Sequence, residues 1–253
     1  MAKMTRAELV RELKAAGSKE RATGMARYFK TGAGEYGEGD VFLGITTPVL
    51  RKIVLRYKTL GLDDLQRLLE AKEHECRSVA LEILVMQYKS GDAELRREIV
   101  EFYLSNTRAI NNWDLVDLSC RDIVGGHLKT GSRKLLTKLG KSESVWERRI
   151  AMVSTMSLVW EGDVADALHV AEMLLEDRHD LIHKAIGWVL RELGDKDEAA
   201  LLGFLKQHYE RVPRTTLRYA IEHFGAETRK RMLRGDFSGA TISRRRVAKG
   251  ASA

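Results

Sequence analysis

The chain has 253 residues, of which 44% are hydrophobic and 31% charged, so the composition is that of a globular protein with ample core. No stretch of about 18 apolar residues occurs, which argues against a transmembrane helix and a membrane partner. Lysine and arginine outnumber aspartate and glutamate by 43 to 36. The resulting net charge of +7 permits nucleic-acid binding without requiring it.

The start of the chain and the two cysteines favour a cytoplasmic protein. The N-terminus lacks the apolar core of a secretory signal and already has a helical pattern. Cys76 and Cys120 show no Cys-x-x-Cys spacing, so reduced structural thiols are the simplest account. We expect a cytoplasmic, nucleoid-associated monomer without a metal or another cofactor.

Apolar residues recur at intervals of three and four along most of the chain, as at Leu81, Leu84, Val85 and Tyr88. This spacing predicts amphipathic helices, and few stretches alternate with the period of two that is typical of strands. About fourteen helices are predicted, near residues 5–16, 19–31, 47–57, 61–70, 74–89, 92–104, 112–124, 129–138, 144–159, 163–176, 180–193, 197–208, 213–223 and 226–233.

The predicted helices fill residues 1–234, which we interpret as a single helical-repeat domain. Residues 235–253 have no apolar period and contain the basic run 244–246. We therefore expect them to form a basic, disordered tail.

An internal repeat links five of the predicted helices. Arg77, Trp113, Arg149, Lys184 and Arg218 follow one another at intervals of 36, 36, 35 and 34 residues. A period of this length in an all-α chain indicates stacked helix pairs of the TPR, HEAT or armadillo type. The Trp-Leu-Gly-Tyr pattern of TPR repeats is missing, so a HEAT-like α-solenoid is preferred.

Four of these five repeat positions are cationic. In a solenoid, equivalent positions of the second helices line one concave surface, so Arg77, Arg149, Lys184 and Arg218 would suit a polyanion. The alternative is that they form an ordinary solvated face.

The segment 111–117 combines an aromatic residue with a carboxylate. Trp113 and Asp117 are four residues apart and would share one helix face. Asn111 or Asn112 suits the N-cap, and Asp114 then falls in the first turn, where the helix dipole favours an anion. Capping does not explain Asp117, which follows Leu115 and Val116; it is either functional or hydrogen-bonded to a neighbouring helix.

Two apparent motifs are rejected. Residues 32–37 match Gly-x-Gly-x-x-Gly, but a predicted helix rather than a strand precedes them, so we interpret a flexible loop instead of a dinucleotide site. His179 and His183 are spaced i, i+4, but no further ligand cluster accompanies them, and a metal site is not predicted.

Five segments together resemble the AlkD-like family of DNA alkylation repair glycosylases. They are residues 42–48, 112–117, 146–151, 184–192 and 213–220, and the resemblance extends over about residues 8–233. It implies a HEAT-like α-solenoid that holds duplex DNA in its concave face. It further implies excision of cationic alkylpurines such as N3-methyladenine and N7-methylguanine, without flipping of the base.

The resemblance also implies roles for individual residues. Asp117 would be the catalytic carboxylate, Trp113 and Trp188 would flank the lesion, and Tyr28 would be a third aromatic wall. The expected DNA contacts, from the resemblance and the repeat together, are Arg77, Arg148, Arg149, Lys184, Arg214 and Arg218. Some members have an aromatic pair where this chain has Asp180 and Leu181, which bears on lesion preference and DNA distortion more than on Asp117.

The sequence therefore predicts a monofunctional alkylpurine DNA glycosylase whose partner is duplex DNA containing alkylated bases. The alternative from a different class is a non-catalytic HEAT-like protein that binds unusual DNA structures. A protein–protein scaffold would instead have a neutral or mixed concave face.

Overall fold

The computed structural model describes residues 4–242. Fifteen α-helices and one 3-10 turn, Thr107–Ala109, occur in this range. The helices are α1 (Arg6–Ala16), α2 (Lys19–Tyr28), α3 (Thr47–Tyr57), α4 (Leu62–Leu69), α5 (His74–Ser90), α6 (Ala93–Ser105), α7 (Trp113–Leu128), α8 (Lys134–Gly140), α9 (Val145–Ser154), α10 (Met156–Val159), α11 (Ala165–Leu174), α12 (Asp180–Lys196), α13 (Glu198–Gln207), α14 (Arg214–Ala220) and α15 (Ala226–Met232).

The predicted all-α class is confirmed. Between residues 4 and 242, extended pairing is limited to two isolated bridges, Val41 with Glu73 and Phe224 with Ile242. In the same range, every helix is too short or too polar to cross a bilayer. One predicted helix, 144–159, is divided at Thr155, whose hydroxyl donates to Met152 O at 2.7 Å where α9 ends and α10 begins.

The described residues form two compact units, residues 4–127 and 128–242. Successive helices pack on one another within each unit, as in an α-solenoid. In the first unit α5 contacts α1, α3, α4 and α6, and its core includes Leu9, Ile53, Leu65 and Leu84. In the second unit α12 contacts α9, α10, α11, α13 and α14. The expectations of a single domain over 1–234 and of a concave face remain predictions.

Gly187 permits the close approach of α12 and α14 in the second unit. A Cβ at this position would lie 2.5 Å from Tyr219 Cβ and 2.7 Å from Thr216 O. Thr216 is fully buried, and its hydroxyl donates to His183 O at 2.9 Å. The two helices therefore touch through backbone and small groups.

Residues 235–242 pack onto the second unit, which differs from the disordered tail expected from residue 235. Phe237 and Ala240 are buried, and the Phe237 ring meets Tyr209 edge-on with 5.7 Å between centroids. The backbone N–H of Ile242 donates to Glu198 Oε2 at 2.9 Å. The basic run 244–246 lies outside the described residues.

The segment between α2 and α3 is fixed by Gly44 and Glu75. Glu75, at the start of α5, is buried, and its carboxylate accepts the backbone N–H groups of Leu43, Gly44 and Ile45 at 2.8, 2.8 and 3.2 Å. Gly44 has φ +79°, and a Cβ there would lie 2.2 Å from Ser18 O. This residue must therefore be glycine.

We expect Gly44→Ala to lower the free energy of unfolding by on the order of 3 kcal/mol, because it combines a left-handed backbone with a backbone clash. Urea denaturation followed by circular dichroism measures the change. Gly61→Ala is the matched control, since Gly61 has φ −76° and open space around its Cβ position. It should change stability by about 1 kcal/mol or less. Equal losses in the two variants would contradict the assignment.

Candidate active site

The site is built on the first two turns of α7, which begins at Trp113 as the sequence predicts. Asn112 is fully buried, and its carbonyl accepts the N–H of Val116 at 3.1 Å. Leu115 and Val116 are also fully buried, so they anchor the inner face of the helix in the first unit. Trp113 and Asp117 are both partly exposed.

Trp113 lies in an aromatic cluster. Its ring stacks on Phe29 with 5.2 Å between centroids and an interplanar angle of 22°, and Tyr28 meets it edge-on at 5.9 Å. The indole Nε1–H donates to the Tyr36 hydroxyl at 3.2 Å. Tyr28 is 66% exposed, so the cluster reaches the surface. The structure thus brings Tyr28 and Trp113 together.

Asp117 lies one helical turn after Trp113. Its backbone carbonyl oxygen accepts a hydrogen bond from Arg121 Nε at 3.1 Å. The phenol of Tyr103 is fully buried nearby, and burial is the main cause that raises its pKa well above the usual value, with a smaller contribution from Asp117. Asp117 therefore lies close to the core of the first unit, while its own side chain is partly accessible.

A buried charge cluster lies beside the aromatic cluster and consists of Asp40, His74, Arg77 and Asp114. His74 Nδ1 lies 3.1 Å from Asp40 Oδ2, and its Nε2 lies 2.8 Å from Asp114 Oδ2. The side chains of His74 and Asp40 are each 4% exposed. When the imidazole is protonated, both ring nitrogens donate, so one cation links two carboxylates.

The pKa values of this cluster favour its charged form. Burial opposes the charge on His74, but hydrogen bonds to Asp114 and Asp40 outweigh it and raise the pKa from 6.5 to about 9. Burial likewise opposes ionisation of Asp40, yet hydrogen bonds from His74, Arg77 and Asn112 and the charge of Arg77 lower its pKa. At neutral pH both groups are therefore ionised.

Arg77 is buried and bound to other side chains, whereas the predicted phosphate contact requires an accessible guanidinium. This side chain is 6% exposed, its Nη2 donates to Asp40 Oδ1 at 2.6 Å, and its Nη1 donates to Asn111. A guanidinium with these partners is positioned to neutralise Asp40 inside the first unit. The repeat spacing correctly predicted that Arg77 lies on a helix, α5, but it could not show that the side chain is buried.

Asp114 is more than the first-turn anion that the sequence suggests. One carboxylate oxygen accepts the N–H of Leu115 at 2.8 Å, while the other is bound to His74. Asp114 therefore ties α7 to the start of α5.

Two predicted DNA contacts of the second unit have internal hydrogen bonds. Arg148 Nε donates to Asp177 Oδ2 at 2.5 Å, and its Nη1 donates to the carbonyls of Ser142 and Glu143, both at 2.9 Å. Arg149 is buried, and its Nη1 donates to Leu181 O at 2.6 Å. Arg149 thus braces the first turn of α12.

The other second-unit candidates lie on α12 and α14. Lys184 pairs with Asp180 at 2.7 Å and remains 40% exposed, and Trp188 follows it by one turn and is partly exposed. Arg214 is exposed, with Nη1 donating to Leu233 O at 2.6 Å, and Arg218 is exposed. Asp180, at the position of the sequence departure, thus balances the charge of Lys184.

The rejected histidine pair is held by hydrogen bonds within the second unit. His179 Nδ1 accepts the N–H of Leu181 at 3.2 Å, and His183 Nε2 lies 2.5 Å from Asp177 O. Over residues 4–242, His, Cys, Asp and Glu form no group of three that could hold a metal ion.

The first unit also contains a cleft of about 490 Å³ between α3, α5 and α7. Its described lining carries both signs of charge, including Arg51, Glu82, Asp114 and Arg121, and it includes neither Trp113 nor Asp117. Trp113 and Asp117 therefore lie outside the lining of this cleft.

Sequence reasoning missed Tyr36, Asp40 and His74. Each contacts the site across a long separation: 77 residues between Tyr36 and Trp113, 34 between Asp40 and His74, and 40 between His74 and Asp114. No local pattern encodes such contacts. The Gly-x-Gly-x-x-Gly match did mark the loop that carries Tyr36, although its interpretation as a flexible segment did not anticipate that contact.

Comparisons with known proteins agree with this architecture. A family model described as DNA alkylation repair enzyme matches residues 9–224. A solved structure, a predicted DNA alkylation repair enzyme from Enterococcus faecalis, is similar with a TM-score of 0.64 and 19% identity, covering 82% of this chain and 96% of that one. Among curated proteins, none matches the chain significantly. The structural likeness shows the fold, and the family model covers most of the chain.

The contacts of His74 with Asp40 and Asp114 should make the free energy of unfolding depend on pH. Because folding raises its pKa from 6.5 to about 9, His74 contributes its full stabilisation below about pH 6.5 and loses it as pH rises through about 9. We expect the free energy of unfolding to fall by about 2–3 kcal/mol across this window. Urea denaturation at several pH values measures it.

His74→Gln should remove most of that slope. His223→Gln is the control, because His223 also pairs with an aspartate, Asp195, at 2.8 Å, but at the surface. It should leave the slope in place. A slope that survives in His74→Gln would show that other groups cause it.

Proposed function

Because the chain belongs to the DNA alkylation repair enzyme family, we propose that it is a DNA glycosylase that excises cationic alkylated purines from duplex DNA. The substrates proposed are N3-methyladenine and N7-methylguanine. The observation that carries the proposal is that Trp113, whose ring meets Tyr28 of α2 edge-on, lies one turn before Asp117 on α7.

The proposed reaction requires one carboxylate and no general acid from the protein. An N-alkylated purine already carries positive charge and is a good leaving group, so no general acid is needed to protonate it. Cleavage of the glycosidic bond places positive charge on the sugar, as in other oxocarbenium-like transition states. We propose that Asp117 stabilises this charge and orients the attacking water; preorganised groups of this kind contribute roughly 3–4 kcal/mol.

Aromatic faces would recognise the charged base. The face of a tryptophan attracts a cation by about 0.5–2 kcal/mol, depending on how far water is excluded. Trp113 is held by Phe29 behind it and Tyr28 at its edge, which keeps the indole in place before a base arrives. The exposure of Tyr28 supports recognition without base flipping, because the aromatic groups form a surface instead of a closed pocket.

The second unit would contribute contacts to the phosphate backbone. Arg214 and Arg218 are exposed and Lys184 is partly exposed, so we propose them as direct contacts. We propose that Arg148, which is partly exposed, is a further contact, although it has internal partners. Arg149 is as buried as Arg77, so we propose that it supports this surface by bracing α12 instead of touching a phosphate itself. For Trp188 as a wall of the lesion site, the support is the resemblance of its motif.

The sharpest test is Asp117→Asn. The amide is nearly isosteric but lacks the charge that stabilises the oxocarbenium, so single-turnover base release from methylated duplex DNA should slow about a hundredfold. Unfolding free energy and DNA affinity should stay close to wild type. Chromatography of the released bases measures the rate.

Asp122→Asn is the matched control on the same helix. Asp122 pairs with Lys89 at 3.0 Å and is 35% exposed, so its loss should change the rate by about twofold or less. Asp114 is unsuitable as a control because it binds the buried His74. Wild-type activity in Asp117→Asn would refute its catalytic role. No release by the wild-type protein would favour the non-catalytic DNA-structure binder.

A second test concerns the phosphate contacts. Arg218→Gln should reduce the slope of log affinity against log salt by about 0.9 on duplex DNA, the value for one lost contact. Fluorescence anisotropy over a range of salt concentrations measures it. Lys206→Gln removes a cation from α13 that is also exposed, and it should leave the slope unchanged. Equal slopes in wild type and Arg218→Gln would remove Arg218 from the interface.

A further inference from the structure

The loop between α2 and α3 carries a residue that reaches the candidate active site. Its glycines at 34, 39 and 44 have φ of +77°, +88° and +79°, and Lys30 has φ +53°. The loop is tied internally: Gly32 N donates to Glu35 Oε2 at 2.9 Å, Gly34 N to Glu38 Oε2 at 2.8 Å, and Gly37 N to Lys30 O at 3.0 Å. It is therefore a built structure in the first unit.

Its far end is anchored by the buried charge cluster. Asp40 binds His74, Arg77 and Asn112. The next residue, Val41, makes two backbone hydrogen bonds: its N–H donates to Lys72 O at 3.3 Å, and its carbonyl accepts the N–H of His74 at 2.8 Å. The beginning of the loop follows Phe29, whose ring stacks on Trp113. Both ends are therefore fixed against elements that also hold α7.

The hydroxyl of Tyr36 lies between these anchors, 3.2 Å from the indole nitrogen of Trp113. Stacking on Phe29 fixes the plane of the indole but not the direction of Nε1, because a half-turn about the Cβ–Cγ bond keeps the ring in the same plane and moves Nε1 to the opposite side. A hydrogen bond at Nε1 removes that freedom. It also satisfies the only polar group of the indole, which donates but cannot accept.

We propose that Tyr36 is a positioning residue that sets the orientation of the Trp113 indole through its hydroxyl, and that the loop 31–41 serves to hold Tyr36 there. The effect of this orientation on base release rests on the proposed glycosylase function. Tyr36 touches no reacting atom in this scheme and acts only through Trp113.

The test is Tyr36→Phe, read out in two ways. With 5-fluorotryptophan incorporated, the ¹⁹F resonance of Trp113, assigned by its loss in Trp113→Phe, should shift or broaden, while those of Trp146, Trp160 and Trp188 stay in place. The single-turnover rate on methylated DNA should fall about two- to tenfold, the factor expected from one neutral hydrogen bond. Affinity for unmodified DNA should remain that of wild type.

Tyr209→Phe is the matched control, because it removes a tyrosine hydroxyl bound to Leu233 O at 3.1 Å in the second unit. It should leave the Trp113 resonance and the rate unchanged. Glu38→Gln weakens the loop through its bond from Gly34 without altering the hydroxyl. Because the loop holds Tyr36, this variant should move the Trp113 resonance in the same direction as Tyr36→Phe but less far, and a wild-type resonance would overturn the role proposed for the loop.

The ¹⁹F spectrum and the rate of base release test different parts of the proposal. An unchanged Trp113 resonance in Tyr36→Phe overturns the proposal whatever the activity. A shifted resonance with a wild-type rate shows that the indole orientation does not matter for catalysis and removes the positioning role. If wild-type protein releases no base, the glycosylase proposal fails, while the ¹⁹F spectra still decide whether Tyr36 orients Trp113.

Discussion

The arrangement of the first unit depends on one buried cation between two carboxylates. His74 begins α5, Asp114 lies in the first turn of α7, and Asp40 lies in the loop between α2 and α3, so a single imidazolium joins three segments. Burying such charges is costly unless each finds a partner, and Arg77 and Asn112 complete the set around Asp40. The start of α7, with Trp113 on it, is therefore held in place by electrostatics as well as by apolar packing.

This constraint separates two kinds of carboxylate within one short motif. Asp114 is bound to the buried His74, whereas Asp117 lies one turn further along the same helix and is partly exposed, as Asp114 is. A charged group that must act on a substrate needs a rigid support that does not itself use the charge. The pairing of a structural and a candidate catalytic aspartate on α7 meets that requirement.

The sequence predicted what local spacing encodes. Apolar periodicity identified the helices, and the four-residue spacing placed Trp113 and Asp117 on one face of α7. Spacing could not show burial: Arg77 and Arg149 occupy the expected helices, yet both are buried with internal partners. Nor could it show the contacts of Asp40 and Tyr36, because each joins segments far apart in the chain through a loop without periodicity.

The segment 235–242 has a consequence for the apolar surface of the second unit. Helical repeats leave apolar faces that a neighbouring element must bury. Phe237 packs against Tyr209 and Ile242 bridges to Phe224, so this segment covers apolar surface of the second unit. These eight residues therefore do, without helical structure of their own, what a further helix would otherwise do. Cutting the chain before residue 235 would expose aromatic surface that favours association between copies.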